Sequence, residues 1–392
     1  DELLVAIARR LAQYCDPKTL VARLGEDEFG LLLRGISSVE ELTPFLEGLL
    51  ERFRSPFATD YGEFFMTVSA GVTLGTMATE QSPGALLQEA ETAMYHAKRR
   101  GKGSWQVFDR EMHLALLRQL TLENDLQRSL QEQDFVTYYQ PIVDLQTGQV
   151  AGVEALVRWQ HPGRGLVPPG VFIPCMEATG LVIRVGMMVF RQAARQMHRW
   201  HTQGWSHLTL SVNLSVRQFS CVSLLSDIDG ILAETGLDPN RLKFEITESA
   251  IMESASEAVR ITDALRSRQI EISIDDFGTG YSSLGHLHQF SLDNLKVDRS
   301  FVNQIETPQG HQSYVVNTII ALSQQLGLSV IAEGIETEGQ LQHLRDLGCE
   351  YGQGFFFAKP LPAAEFEARY LHPTSGPTPS ALTSAHRPQP KH

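Results

Sequence analysis

The run Glu271-Ile272-Ser273-Ile274-Asp275-Asp276 is the most informative for the fold class, because a strand pattern ends there in two adjacent carboxylates. Its apolar and polar side chains alternate with the two-residue period of a β-strand. Seven further runs of this kind occur along the chain, and most gaps between them carry helical apolar spacing. Strands alternating with helices over about 250 residues predict an α/β fold, a (β/α)8 barrel of the TIM type. The predicted strands are 138–143, 150–159, 208–215, 242–247, 271–276, 294–298, 328–335 and 351–357.

Polar side chains cluster toward the ends of these predicted strands, where a barrel would otherwise show apolar residues. The carboxyl ends of barrel strands surround one mouth, so we expect these side chains to converge on a single site. The residues are Glu154, Asn213, Glu245, Asp275, Asp276, Lys296, Glu333 and Gln353.

Five of these residues are carboxylates, and buried carboxylates that repel one another become protonated unless a cation compensates them. A ligand set made only of oxygen favours Mg²⁺ or Mn²⁺. The Asp275–Asp276 pair could bridge two ions, an arrangement suited to phosphodiester hydrolysis. Arg158 offers a forked donor for a phosphate. Nearby cations would lower the pKa of Lys296, which makes it a proton acceptor or an anchor for water.

Each residue also has an ordinary explanation when it is taken alone. An isolated Glu245 could be solvated, an Asp-Asp-Gly run is commonly a turn, and Lys296 could form a surface ion pair. Only their recurrence at strand ends favours a site. The glycine-bearing stretch 276–284 suits a mobile loop, and Glu248 could either anchor this loop or cap the start of a helix.

Composition excludes several classes of protein. The chain has 392 residues, of which 42% are hydrophobic and 20% are charged, which predicts two or three globular domains. The net charge of −13 argues against binding to a nucleic-acid polymer. None of the four cysteines forms a CxxC pair, which favours a reducing cytoplasm. No membrane span is predicted, and because Asp1 stands inside a helical pattern we expect further chain upstream.

Four parts follow from these patterns. Residues 1–109 form a small α/β part, 110–133 a leucine-striped connecting helix, 134–372 the barrel, and 373–392 a proline-rich tail that we expect to be disordered. Within the first part, we predict helices at 2–14, 38–53 and 83–100 and strands at 20–24, 29–34, 64–74 and 104–109.

The barrel motifs resemble those of the EAL cyclic di-GMP phosphodiesterases. The resemblance covers roughly 114–371, and the family positions are occupied as in active members. It implies metal-dependent cleavage of cyclic di-GMP to linear pGpG, and a homodimer formed through the region after Asp276. The motifs are Glu154-Ala155-Leu156-Val157-Arg158, Asn213-Leu214-Ser215, Glu245-Ile246-Thr247-Glu248-Ser249, the stretch 275–284, Leu295-Lys296-Val297-Asp298 and Ala332-Glu333-Gly334-Ile335-Glu336.

The resemblance also implies individual roles for the matched residues. One metal ion would be bound by Glu154, Asn213, Glu245 and Asp275, and the other by Asp275, Asp276 and Glu333. Lys296 would handle the attacking water with help from Gln353, and Glu248 and Glu333 complete the catalytic set. The dinucleotide would be contacted by Gln140, Leu156, Arg158 and Glu336.

The stretch Arg23-Leu24-Gly25-Glu26-Asp27-Glu28-Phe29 resembles the GGDEF signature of diguanylate cyclases. Glu26 replaces the second glycine and brings a Cβ and a negative charge to the place where backbone should approach a triphosphate. The metal-binding Asp of the family's N-terminal portion is not among these residues, and the product-inhibition motif RxxD reads Asp16-Pro17-Lys18-Thr19. We therefore expect an inactive, regulatory or dimerising remnant, with residual GTP binding as the lesser alternative.

Two alternatives to hydrolysis remain open. The first is a non-catalytic cyclic di-GMP receptor, although receptors of this class usually lose metal carboxylates or the glycine-bearing loop, and none is lost here. The second is Mg²⁺-dependent enolate chemistry, which would need a further Lys or His base besides Lys296 and therefore ranks last.

Overall fold

The computed structural model describes residues 2–371 apart from 37, 60–61, 76–81, 254, 279–289 and 306–312. The chain divides into two compact units, Asp1–Thr121 and Leu122–His392. The expected disordered tail, 373–392, and most of the glycine-bearing loop, 279–284, lie outside the described residues. In the part that is described, no helix combines the length and apolar character needed to cross a membrane.

The first unit packs its helices on short pairs of strands. Its core contains Ile7, Leu11, Leu49, Phe53 and Phe57. The predicted single strand 64–74 is wrong. Its first residue belongs to a strand at Gly62–Phe64, which turns back on Phe57–Thr59 as a hairpin, whereas a separate strand at Ala70–Val72 pairs in parallel with Trp105–Val107. The elements are α1 (Glu2–Tyr14), β1 (Leu20–Arg23), β2 (Phe29–Leu32), α2 (Val39–Arg54), β3 (Phe57–Thr59), β4 (Gly62–Phe64), β5 (Ala70–Val72), α3 (Pro83–Arg100) and β6 (Trp105–Val107).

The second unit is the predicted eight-stranded barrel. Its first strand, β7 (Phe135–Asp144), differs from the simple (β/α)8 pattern. It closes the barrel by running antiparallel to both of its neighbours, β8 (Val150–His161) and β15 (Tyr351–Gly352). A short turn at 145–149 joins β7 to β8, and such a turn can join only antiparallel strands, whereas parallel neighbours need a crossover. The barrel strands are β7 (Phe135–Asp144), β8 (Val150–His161), β10 (Thr209–Leu214), β11 (Leu242–Thr247), β12 (Glu271–Phe277), β13 (Asn294–Val297), β14 (Ser329–Ala332) and β15 (Tyr351–Gly352).

Helices and two short strands surround the barrel. The strand β9 (Gly165–Val167) pairs with β8, and β16 (Leu361–Pro362) pairs with β7. The helices are α4 (Arg110–Glu132), α5 (Pro169–Thr179), α6 (Leu181–Thr202), α7 (Val216–Phe219), α8 (Leu224–Thr235), α9 (Glu248–Glu253), α10 (Ala255–Arg266), α11 (Arg299–Val302), α12 (Ser313–Leu326), α13 (Glu338–Asp346) and α14 (Ala363–Phe366), with a 3₁₀ turn at Pro239–Arg241 and a π-helical turn at Glu367–Leu371.

Strand alternation divides the barrel into a core and a polar interior. Along β11, Leu242, Phe244 and Ile246 are fully buried in the main hydrophobic core, which also includes residues of the surrounding helices. Phe244, for example, packs edge-on against Phe190 of α6. The alternate positions Lys243 and Glu245 contact residues of other barrel strands. The two-residue period therefore assigns the polar side chains to the inside of the barrel.

Helix α4 coincides with the predicted connecting helix, and the division between the two units falls inside it. Near its end, Leu126 is fully buried in a second core, with Phe135 of β7 and Trp159 of β8. Asp125 contacts His161 Nε2 at 3.2 Å and Arg164 at 3.0 Å. This end of the helix is therefore held by residues at the end of β8 and in the turn that follows it.

Candidate active site

Lys296 stands at the centre of the predicted site and is only 1% exposed. Its Nζ lies 2.7 Å from Glu245 Oε2 and 2.5 Å from Glu333 Oε1. Asp275 Oδ1 and Glu154 Oε2 follow at 3.4 Å and 3.7 Å. The barrel thus brings four of the five predicted carboxylates, from four different strands or strand ends, to one ammonium group.

Two amide side chains orient Glu154 within this cluster. Asn213 Nδ2 donates to Glu154 Oε1 at 2.6 Å, and Gln353 Nε2 donates to Glu154 Oε2 at 2.7 Å. Gln353 also donates to Glu333 Oε1 at 3.0 Å. It therefore joins Glu154 on β8 to Glu333, the residue that follows β14. Both predicted amides therefore belong to the cluster.

Electrostatics divide the carboxylates into two groups. Burial alone would raise the pKa of Glu154, but Lys296 and the two amide donors outweigh it and lower this pKa. Burial and the neighbouring Glu154 raise the pKa of Glu245 well above its ordinary value. Burial also raises the pKa of Glu333, to about 7. The surroundings thus stabilise the anionic form of Glu154, whereas burial disfavours the anionic forms of Glu245 and Glu333.

The pKa of Lys296 changes in the direction opposite to the sequence-based expectation. Burial lowers it, but Asp275, Glu154, Glu245 and Glu333 together raise it well above the ordinary lysine value. The residues alone therefore keep Lys296 as an ammonium ion. The lowered pKa that was predicted from the sequence would require cations beside Lys296.

The donor set fits divalent cations. Asp275, Asp276 and Glu333 each offer an oxygen, and these oxygens lie within 4.8 Å of one another. Glu245 Oε1 is buried without a hydrogen-bond partner among the described residues. A buried, unpaired carboxylate oxygen is costly, and an oxygen-binding cation would satisfy it. The residues present therefore fit Mg²⁺ or Mn²⁺.

Asp276 adopts an unusual backbone conformation at the end of β12. Its φ is +54°, in the left-handed region that costs a residue with a Cβ about 1–3 kcal/mol. Its backbone N–H donates to Asp275 Oδ1 at 3.0 Å. Burial and Asp275 raise the pKa of the Asp276 carboxyl. The strain places two successive carboxylates at the mouth, where a regular strand would have turned one of them outward.

Glu248 contacts the start of the glycine-bearing loop. It is the first residue of α9 and is 4% exposed. Its Oε2 accepts a hydrogen bond from the backbone N–H of Gly278 at 3.3 Å. This contact is of the kind that the anchoring alternative predicts, and Glu248 also stands at the start of α9, where the capping alternative placed it.

Three of the predicted dinucleotide contacts lie on the β7–β8 pair. Gln140 is opposite Glu154 in the strand register, and its Nε2 donates to Ala358 O at 3.1 Å. Leu156 and Arg158 are half-buried, and the Arg158 guanidinium lies 5.6 Å from the centre of the Tyr138 ring. Glu336 is exposed three residues beyond Glu333. In the described part of the chain, no hydrogen bond or ion pair joins any two of these four side chains.

The last predicted barrel strand, 351–357, is too long. The strand ends at Gly352, and the chain turns at Gly354, where a Cβ would lie 2.2 Å from the backbone oxygen of Ile335. Phe355 is therefore 49% exposed instead of buried in a strand. The glycine at 354 was the available sequence signal, because glycine inside a strand pattern often marks a close backbone approach.

Two family models and several characterised proteins are similar to this chain. A family model for the EAL domain matches residues 123–360, and a model for the diguanylate cyclase GGDEF domain matches 1–104. The chain is 37% identical over 368 residues to the bifunctional diguanylate cyclase/cyclic di-GMP phosphodiesterase MucR of Pseudomonas aeruginosa, covering 94% of this chain and 53% of MucR. It is 36% identical to the cyclic di-GMP phosphodiesterase NbdA of the same organism, covering 94% and 46%.

Among solved structures, the PaMucR phosphodiesterase in complex with c-di-GMP is 40% identical, with a TM-score of 0.61. The similarity covers 63% of this chain and 99% of that structure. The chain spans about half the length of the curated relatives named above. The EAL model matches more than half of the residues, and five motif side chains meet in one cluster: Glu154, Glu245, Asp275, Lys296 and Glu333. The chain therefore belongs to the EAL domain family.

Proposed function

We propose that this chain hydrolyses one phosphodiester of cyclic di-GMP and releases linear pGpG, using two Mg²⁺ or Mn²⁺ ions. One observation carries the proposal: a buried lysine faces four carboxylates at the barrel mouth, and one carboxylate oxygen there is unsatisfied. The names of MucR and NbdA supply the substrate class. We assign one ion to Glu154, Asn213, Glu245 and Asp275, and the other to Asp275, Asp276 and Glu333.

The chain's own residues provide binding and orientation. When bound, two such cations supply activation of water and charge stabilisation at the leaving oxygen. Lys296, held as an ammonium ion, donates hydrogen bonds and so orients the attacking water, while Gln353 holds Glu154 and Glu333 in place. Arg158 is suited to a phosphate, and Gln140, Leu156 and Glu336 contact the remainder of the dinucleotide. Glu248 acts as a positioning residue for the loop that begins at Gly278.

The direct test is incubation of the purified chain with cyclic di-GMP and Mg²⁺ or Mn²⁺, with and without a chelator. Chromatography should show pGpG only when the metal is available. Tight binding of cyclic di-GMP without cleavage would overturn the hydrolase and favour the receptor. Absence of both binding and cleavage would reject the substrate assignment.

We further propose that the first unit has no cyclase activity and serves regulation. Arg23 donates hydrogen bonds to the backbone oxygens of Gly25 and Glu26, at 3.0 Å and 2.8 Å. Its guanidinium group is therefore already bound to carbonyls of its own turn. Glu26 and Asp27 are exposed on the same turn. Their negative charges would repel a triphosphate brought to the turn.

Replacing Asp27 with alanine should leave phosphodiesterase turnover nearly unchanged, because Asp27 is an exposed turn residue of the first unit. The measurement is kcat and KM for cyclic di-GMP in the full chain. A large loss of turnover would show that the first unit is more than a remnant.

Dimerisation and location are also proposals. We propose a homodimer formed through the region after Asp276, most of which lies outside the described residues. We propose a cytoplasmic location, which is supported by four cysteines that are all free thiols, two of them buried.

A further inference from the structure

We infer that Phe355 and Lys359 form a substrate-positioning pair, in which the Phe355 ring stacks on one guanine base and Lys359 contacts a phosphate. The inference rests on the proposed function and extends it to two residues to which neither the sequence motifs nor the family resemblance assigned a role.

The first observation is the place of Phe355 in the fold. It follows Gln353 by two residues, and the Gln353 amide contacts both Glu154 and Glu333. Two residues of chain span at most about 7 Å, so the Phe355 backbone lies within that distance of the backbone of Gln353, whose side chain reaches the carboxylate cluster. The segment leaves the carboxyl end of β15, the same barrel end as the cluster.

The second observation is that this segment is rigidly held while the ring itself is not buried. Gln353 O accepts from the Ile335 N–H at 3.1 Å, and the Phe356 N–H donates to Ile335 O at 2.9 Å. Phe357 is 2% exposed and belongs to the main core. Between them, Phe355 is 49% exposed. A backbone held by hydrogen bonds thus carries a large, exposed aromatic ring on the segment that follows Gln353.

The third observation is a cation beside this ring. Lys359 Nζ lies 5.4 Å from the centre of the Phe355 ring, and the Lys359 side chain is exposed. Gln140, a proposed dinucleotide contact, donates to the oxygen of the intervening Ala358 at 3.1 Å. The pair is therefore attached to the β7–β8 strands that carry the other proposed substrate contacts.

The chemistry of the pair matches the substrate class. A cyclic dinucleotide presents two purine faces and two phosphate anions, whereas the mouth itself is acidic. An exposed aromatic ring can stack on a base, and an ammonium group beside it offsets the repulsion between the substrate and the carboxylates. Removing an aromatic ring that stacks on a base weakens binding by a factor of about five to a hundred.

The test measures KM and kcat for cyclic di-GMP hydrolysis, together with calorimetric binding of cyclic di-GMP in chelator, where no turnover occurs. Phe355→Ala should raise KM and the dissociation constant about five- to hundredfold, with a smaller change in kcat. In Phe355→Tyr, KM and the dissociation constant should stay close to the wild-type values, whereas Phe355→Leu should raise both. Lys359→Met should weaken binding most at low salt, because the phosphate contact is screened by ions.

The matched control is Phe65→Ala, which removes an aromatic ring that is 75% exposed in the first unit. It should change neither constant. Wild-type affinity in Phe355→Ala, or full recovery by leucine, would overturn the stacking role even if the enzyme hydrolyses cyclic di-GMP. A wild-type chain that binds but does not hydrolyse would reject the proposed activity, while the binding measurements would still decide the role of Phe355.

Discussion

Replacing Glu154 with glutamine should lower kcat/KM for cyclic di-GMP by more than about 100-fold, because outer residues that merely support metal ligands already cost 10- to 100-fold when mutated. Glu154 receives hydrogen bonds from Asn213 and Gln353, and a glutamine of the same shape removes the charge without opening a cavity. Mn²⁺ affinity, measured by calorimetry, should fall together with turnover. Unchanged affinity and turnover would refute the metal assignment.

The matched control for this substitution is Glu271→Gln. Glu271 lies on β12 four residues before Asp275 and is paired with Lys243 at 2.8 Å and with Asn294 at 3.0 Å. The same acid-to-amide change is therefore made in the barrel but away from the cluster. Turnover should stay close to that of the parent chain, and an equal loss in both variants would indicate a general structural effect.

Replacing Lys296 with methionine should destabilise the metal-free chain by about 3–5 kcal/mol, the cost of removing one partner from a buried ion pair. Lys296 is the ammonium that faces Glu154, Glu245, Asp275 and Glu333, all within 3.7 Å. Without it, these carboxylates must repel one another or become protonated. Mg²⁺ or Mn²⁺ should recover much of the lost stability, because a cation bound only by the folded chain replaces the missing charge.

The measurement is urea unfolding of parent and variant, in chelator and in saturating Mn²⁺. Lys243→Met is the matched control, since Lys243 is also mostly buried in the barrel but pairs with Glu271, whose side chain is 40% exposed. We expect a smaller loss and no special recovery by metal in the control. If Lys296→Met were as stable as the parent in chelator, the ammonium would not be what balances the carboxylates.

Much of the fold was predictable because the relevant signals are local. The runs 242–247 and 271–276 were predicted as strands, and they form β11 and most of β12. The connecting helix 110–133 was placed to within one residue. The error at 64–74 arose where one apolar pattern is shared by two strands with different partners, since an alternating pattern carries no information about which strand pairs with which.

The residue types at the predicted strand ends can be read from the sequence: five carboxylates, two amides and one lysine. They led to the prediction of an oxygen-rich metal site. The register that sets Gln140 opposite Glu154, and the exposure of Phe355 beside Gln353, are set only by the folded barrel. It also decided the charge of Lys296, whose pKa is raised. The physical reason is distance: strand periodicity acts over two residues, whereas burial and Coulomb interactions depend on groups such as Glu154 and Lys296 that meet only after folding.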